Sequence, residues 1–278
     1  VAVDNNRSAF ILPTSILTEA WHSGNTVQIG DAIGVWGGSI PAGTTWIDEH
    51  PVNVYGDLVL PFNNDLTLEP GSKLKFANYY GLTVSGILVA NGTPADNIVF
   101  TAYTDDDHGG DTNGDGASAG SGGYWRNLTF TGTNPGCSMS YCQIRYAGRY
   151  HGSGNYYREA LVVTGTAALT MTGCLIEETG GGSNYPFALR VEAGASFQII
   201  DSVVQNNSGF GVWIAEPTAL ITGCASDNNG LYGFHVHPEL VGEVASLNTF
   251  SGNGWDNTLS MMTGNMTIDD SWPSSTVY

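Results

Sequence analysis

Along this chain apolar and polar residues alternate in short runs, each closed by glycine or asparagine and each echoed by another run further on. Four segments align: SMSYCQIRYAG (138–148), LTMTGCLIEETG (169–180), FQIIDSVVQNNSG (197–209) and ALITGCASDNNG (219–230), with a weaker fifth, VASLNTFSGNG (244–254). Cys142, Cys174, Ser202, Cys224 and Asn248 share one position, separated by 32, 28, 22 and 24 residues. Two residues on, Ile144, Ile176, Val204, Ser226 and Phe250 share another. A second register, EALVVTG, FALRVEAG, FGVWIAEP and YGFHVHPE, puts Leu161, Leu189, Val212 and Phe234 on one face, beside Val163, Val191, Ile214 and Val236.

Period-two strands recurring at this spacing predict a coiled parallel β-structure. One coil cannot bury its own apolar side, so coils stack and like residues form ladders. No long segment keeps a 3.6-residue apolar stripe, which argues against a helical repeat. The expected fold is all-β: a single right-handed parallel β-helix, a solenoid, over residues 44–268, carrying one long acidic loop insertion. Residues 1–43 read as an N-terminal cap or subunit-contact segment.

The stretches LTLEPGSKLKF, GILVANGTPADNIVFTA and GGYWRNLTF add a resemblance. Together with TTWIDEHPVNVY they resemble the β-helical repeat regions of secreted bacterial and archaeal cell-surface proteins, over residues 44 to 260. Asn127 departs from the pattern, where glycine is common. The resemblance implies an exported protein of the cell surface or matrix, structural or adhesive in role, and does not imply an enzyme.

Composition narrows the partners. The formal net charge is −18 with only 8 Lys+Arg in 278 residues, so the clustered cations that bind nucleic acid are missing. No apolar run reaches membrane-spanning length. The opening VAVDNNRSAF lacks a signal-peptide pattern, so an exported chain is expected to have lost its signal already. Five N-x-[ST] triplets, at Asn6, Asn91, Asn127, Asn206 and Asn265, permit glycosylation.

The run TDDDHGGDTNGDG (104–116) concentrates carboxylates, with no cation nearer than Arg126. Asp111, Asn113 and Asp115, followed by Gly116, fit the first half of a calcium loop, in which oxygens on alternate residues converge. Gly122 stands where an EF-hand would carry its bidentate glutamate. Asp105, Asp106 and Asp107 are the expected source of further ligands, and the expected ion is calcium in a structural role; the competing reading is a solvated acidic tip. Cys142, Cys174 and Cys224 are expected inside, as small buried hydrophobes or, for Cys142 with Cys174 or Cys137, as a bridge between neighbours. No CxxC pair suggests a metal.

Outward positions of the second register carry the remaining candidates. Val162, Arg190, Trp213 and His235 form one column; Thr164, Glu192, Ala215 and His237 form the next, with Glu216 and Glu239 at its margin. Arg149, His151, Tyr156 and Tyr157 belong to a loop that would overhang them. Arg190, Glu192, Trp213, His235, His237 and Glu239 therefore make a candidate carbohydrate face. The alternative reading is a polysaccharide-active enzyme on this face, a glycoside hydrolase with Glu192 and Glu239 as its carboxylates or a lyase using Arg190, although no aspartate cluster stands beside Arg190. Finally, DDSWPSSTVY (269–278) resembles TTWIDEHPVNVY (44–55), as though another repeat began. End-to-end self-association into filaments is the corresponding expectation.

Overall fold

The structure, a computed structural model, describes residues 8–12, 14, 32–46, 50–133, 136–149, 158–180, 186–255 and 259–263. Among them the strands form three all-parallel sheets of ten, seven and nine strands. We call the ten-stranded sheet A, the nine-stranded sheet B and the seven-stranded sheet C. From Ala32–Val35 to Phe234–Val236 the chain visits them in the fixed cycle A, B, C, so each strand pairs with one a full coil away. This is a parallel β-solenoid. Strands of the stack already occur ahead of residue 44: Ser8–Leu12 pairs with Ala32–Val35 in sheet A. The segment 269–278 lies outside the described residues.

The ladders follow the aligned sequence positions. In sheet A, Ile144, Ile176, Val204, Ser226 and Phe250 stack in register. In sheet B, Leu161, Leu189, Val212 and Phe234 do the same. Their apolar side chains face inward and build one continuous core, against which Phe250 packs half-buried. Fully burying each such side chain contributes about 1.5–3 kcal/mol. Phe76 stacks on Trp125 inside this core, with centroids 4.4 Å apart.

Two polar ladders hold the corners. The position shared by Cys142, Cys174, Ser202, Cys224 and Asn248 bonds to the coil before it: the cysteine thiols donate to Ala90 O, Met139 O and Ile199 O, while Cys174 N–H donates to Ser202 Oγ at 3.0 Å and Cys224 N–H to Asn248 Oδ1 at 2.9 Å. All four cysteines are buried and unbridged. Burial holds the Cys142 thiol well above its ordinary pKa, as suits a packed and unreactive group. At the corner leaving sheet A, Asn207, Asn229 and Asn253 stack likewise. Asn229 Oδ1 accepts from the Asn207 N–H and from Asn207 Nδ2, while Asn229 Nδ2 donates to Val204 O at 3.1 Å. These amides satisfy backbone groups that a tight corner would otherwise bury unpaired.

The weak fifth repeat is only half a repeat. Asn248 and Phe250 keep their ladder positions, but Val241–Leu247 forms helix α1, in the place where a strand of sheet C would follow in this coil. Pro238 opens the turn before it, and Leu240, Val241 and Val244 enter the core. That i, i+3 apolar spacing is helical rather than alternating, and the strand Leu220–Thr222 lies beneath it. No helix of the described residues is long and apolar enough to cross a membrane.

Long connections gather at the corner from sheet A to sheet B. Residues 103–127 join Ile98–Ala102 to Leu128–Phe130, residues 146–158 join Cys142–Arg145 to Glu159–Val163, and residues 178–186 join Leu175–Glu177 to Phe187–Val191. In a solenoid, insertions stacked on one edge mark the edge where specific chemistry can accumulate.

Candidate functional site

The insertion 103–127 folds back over the outer face of sheet A. There Asn53, Lys75 and Thr101 lie side by side on neighbouring strands. Thr112 Oγ1 donates to Asn53 Oδ1 at 3.0 Å, and Asn53 Nδ2 donates to Thr112 O at 3.2 Å. Lys75 Nζ donates to Gly110 O at 2.6 Å. Thr101 Oγ1 donates to Asp105 Oδ2, which also lies 2.9 Å from His108 Nδ1. Gly109, at φ +90°, packs so tightly on Pro51 that a Cβ would come within 2.7 Å of the ring.

The loop brings one carboxylate oxygen of Asp106, Asp111 and Asp115 within 4.8 Å of one another. Asp105 and Asp107 are not among these converging carboxylates. Asp105 is buried on Thr101 and His108, Asn113 Oδ1 accepts from Asp115 N–H, and Asp107 is exposed. Burial opposes ionisation of Asp105, but hydrogen bonds with His108 and Thr101 outweigh it and hold the carboxyl below its ordinary value. The expected neighbour Arg126 is paired instead with Asp57, at 2.7 Å. The cation under the loop is Lys75, whose pKa is lowered by burial against the pull of Asp106, Asp105, Asp111 and Asp115. Asp106 nonetheless keeps one oxygen, Oδ1, shut from solvent and without a hydrogen-bond partner. An oxygen in that condition suits a hard cation, so the triad fits one on the chemistry of its donors.

Further along the same edge lies a cleft of about 300 Å³, lined by Ser121, Tyr146, Glu178, Thr179, Asn206 and Ser208, with Gly120, Gly122 and Gly180. Tyr146, Glu178 and Asn206 occupy equivalent turn positions with φ of 61°, 54° and 55°. Arg145 ties the cleft to sheet A, pairing with Glu177 and, at 3.0 Å, with Glu178.

Beyond the cleft the outer face of sheet B carries the predicted column. Val162, Arg190, Trp213 and His235 are in register, followed by Ser260. Arg190 Nη1 pairs with Glu159 Oε1 at 2.9 Å and Nη2 with Glu192 Oε1 at 2.7 Å, while its guanidinium carbon lies 5.2 Å from the Trp213 ring centroid. Glu192 also accepts from Thr164 Oγ1. His235 Nδ1 meets Ser260 Oγ at 2.7 Å, and burial lowers its pKa. His237 is turned to a structural task, accepting the Glu239 N–H at the start of the turn before α1. Burial disfavours ionised Glu216, yet hydrogen bonds from Thr218 and Gly194 hold its carboxyl below the usual range.

Sequence reasoning missed the larger part of this face. Phe187 stacks on Phe210 at 5.0 Å, and Phe210 meets Trp255 at 6.0 Å and His235 at 5.8 Å. Tyr232 packs edge-on to Trp255 at 5.4 Å, and Phe187 reaches Trp213 at 5.8 Å. Trp255 is 43% exposed, and Trp213 and Tyr232 are half-buried. The signal was available: FALRVEAG, FGVWIAEP and YGFHVHPE each begin on an aromatic residue, Phe187, Phe210 and Tyr232. Arg149 stacks on Tyr79 at 4.2 Å. His151, Tyr156 and Tyr157 lie outside the described residues.

Compared with known protein families, curated proteins and solved structures, the chain matches none of them.

Proposed function

We propose that this chain is an extracellular adhesive module that binds a glycan on the outer face of sheet B. The observation that carries the reading is an aromatic cluster in which half-buried Trp213 and Tyr232 and exposed Trp255 pack on buried Phe187 and Phe210, beside His235 and continuous with the Arg190 ion pairs. Flat rings beside hydrogen-bonding carboxylates suit the apolar faces and equatorial hydroxyls of sugar rings. The polar cleft on the same edge extends the surface that a polymer would meet. Binding rather than turnover is the activity we assign. Glu159 and Glu192 are committed to Arg190, whereas a glycosidase acid needs a carboxyl held protonated. Among the described residues, the carboxyls of Asp105 and Glu216 are shifted by their surroundings, and both downward.

The resemblance to secreted surface β-helices, the acidic and lysine-poor composition, and the scarcity of cations support placement outside the cell. Within the same proposal, calcium bound by Asp106, Asp111 and Asp115 would fasten the insertion to sheet A.

The test is binding to an immobilised panel of oligosaccharides. Trp213→Ala and Trp255→Ala are each expected to weaken retention by about tenfold or more, the loss of one stacking ring amounting to about 1–2 kcal/mol. Retention unchanged in both variants, or release of shortened sugars by the wild-type chain, would refute the proposal.

A further inference from the structure

Resting on that reading, we infer that the ligand of the sheet B face is an uncharged glycan, and that Arg190 positions Trp213 instead of clamping an anion. An arginine on a sugar-facing surface ordinarily suggests a uronate or a sulfate, because the planar guanidinium matches paired oxygens. Both terminal nitrogens of Arg190 are already engaged by carboxylates. Nη1 is held by Glu159 at 2.9 Å, Nη2 by Glu192 at 2.7 Å, and its face is turned to Trp213 at 5.2 Å. One cation between two carboxylates leaves this centre with one net negative charge.

The surroundings point the same way. Glu216 and Glu239 follow the strands Phe210–Ile214 and Phe234–Val236 of the neighbouring coils, and Arg158 precedes the strand Glu159–Val163. Over the whole chain the formal charge is −18. An incoming carboxylate would have to compete with Glu159 and Glu192 for Arg190, and to approach against this field. A neutral ring meets Trp213 and Trp255 with neither cost. The side chains of Arg190 and Glu159 are only 18% and 11% exposed, so the pair is poorly screened and holds Trp213 firmly. Glu192, whose side chain is 35% exposed, remains the acceptor that a sugar hydroxyl can reach.

The experiment is calorimetry with matched oligosaccharide pairs: β-glucan with oligoglucuronate, galactan with oligogalacturonate, mannan with oligomannuronate. At about 20 mM salt the uronate of any bound pair is expected to bind at least about tenfold more weakly than its neutral partner, and the gap to narrow at about 500 mM. Glu159→Gln/Glu192→Gln keeps the side-chain shapes and frees the guanidinium. It is expected to raise uronate affinity about tenfold, with circular dichroism confirming the fold. Uronates that bind the wild-type chain as tightly as neutral sugars overturn the inference while glycan binding stands. So does a double variant that gains no uronate affinity. If no oligosaccharide of any pair binds, the glycan-binding reading itself falls, and this inference with it.

Discussion

Lys75 decides how the acidic insertion is held. It stands on an outward strand position, yet it is fully buried, because residues 103–127 lie across it. Burying an ammonium is costly unless negative charge surrounds it, and four aspartates do so here. Lys75→Met keeps the buried stem and removes both the charge and the donor to Gly110. In chelator this is expected to cost about 2 kcal/mol, through the orphaned carbonyl and the unneutralised carboxylates. Melting should fall by roughly 2–4 °C for each kcal/mol. If calcium fills the Asp106, Asp111 and Asp115 triad, adding it should raise the melting temperature of the variant more than that of the wild type. Identical melting of the two proteins in chelator would show that Lys75 is not the counter-charge of the loop.

The sequence reveals Lys75 only as an alternating polar residue in SKLKF. That a loop thirty-odd residues later returns to cover it is a tertiary event, and no local pattern encodes it. The convergence of Asp106, Asp111 and Asp115 was better marked, since aspartates near glycines in one run are local information. Even so, the same run suggested Asp105, Asp107 and Asn113, and their directions depend on Thr101, His108 and the turns of the loop.

At the scale of elements, the polar corner ladders are as necessary as the apolar strands. Each coil must turn sharply, and each turn leaves an inward N–H or C=O that the next coil has to satisfy. Asn229 illustrates the demand, meeting the Asn207 N–H, Asn207 Nδ2, Val204 O, Ser226 Oγ and Asn253 Oδ1. Asn229→Ala leaves several of these buried and unpaired at about 1–3 kcal/mol each, so a loss of roughly 3 kcal/mol or more is expected. Urea unfolding measures the total. Hydrogen exchange should show the lost protection concentrated between Val204 and Asn253, and a loss spread evenly over the chain would count against a ladder. Such repeats were legible in advance because like residues stack on like. The Asn and Cys positions, the sheet A and sheet B registers and the outward column of Arg190, Trp213 and His235 could all be read from the alignment. Helix α1 could not. VASL follows the repeat in composition, and only the packing of Val241 and Val244 into the core end selects a helix over a strand.

For the whole molecule, that helix bears on assembly. A parallel solenoid ends in strands with unpaired backbone, and such edges invite another chain to continue the sheet. In the last described coil α1 packs on Leu220–Thr222, so sheet C is covered there, while sheets A and B continue through Thr249–Ser251 and Ser260–Met261. A second chain stacked directly on this coil would leave one of three sheets unpaired there. On this geometry the prediction is separate rods. Val244 is fully buried on the inner side of α1, and Val244→Glu would place a carboxylate in the core end and detach the helix. The strand Leu220–Thr222 would then present an open edge beside the apolar core. Sedimentation velocity is expected to find one slow species for the wild type across concentrations, and a concentration-dependent faster species for Val244→Glu. Filaments of the wild-type chain in electron micrographs would mean that α1 does not block assembly, and that sheets A and B suffice to join one rod to the next.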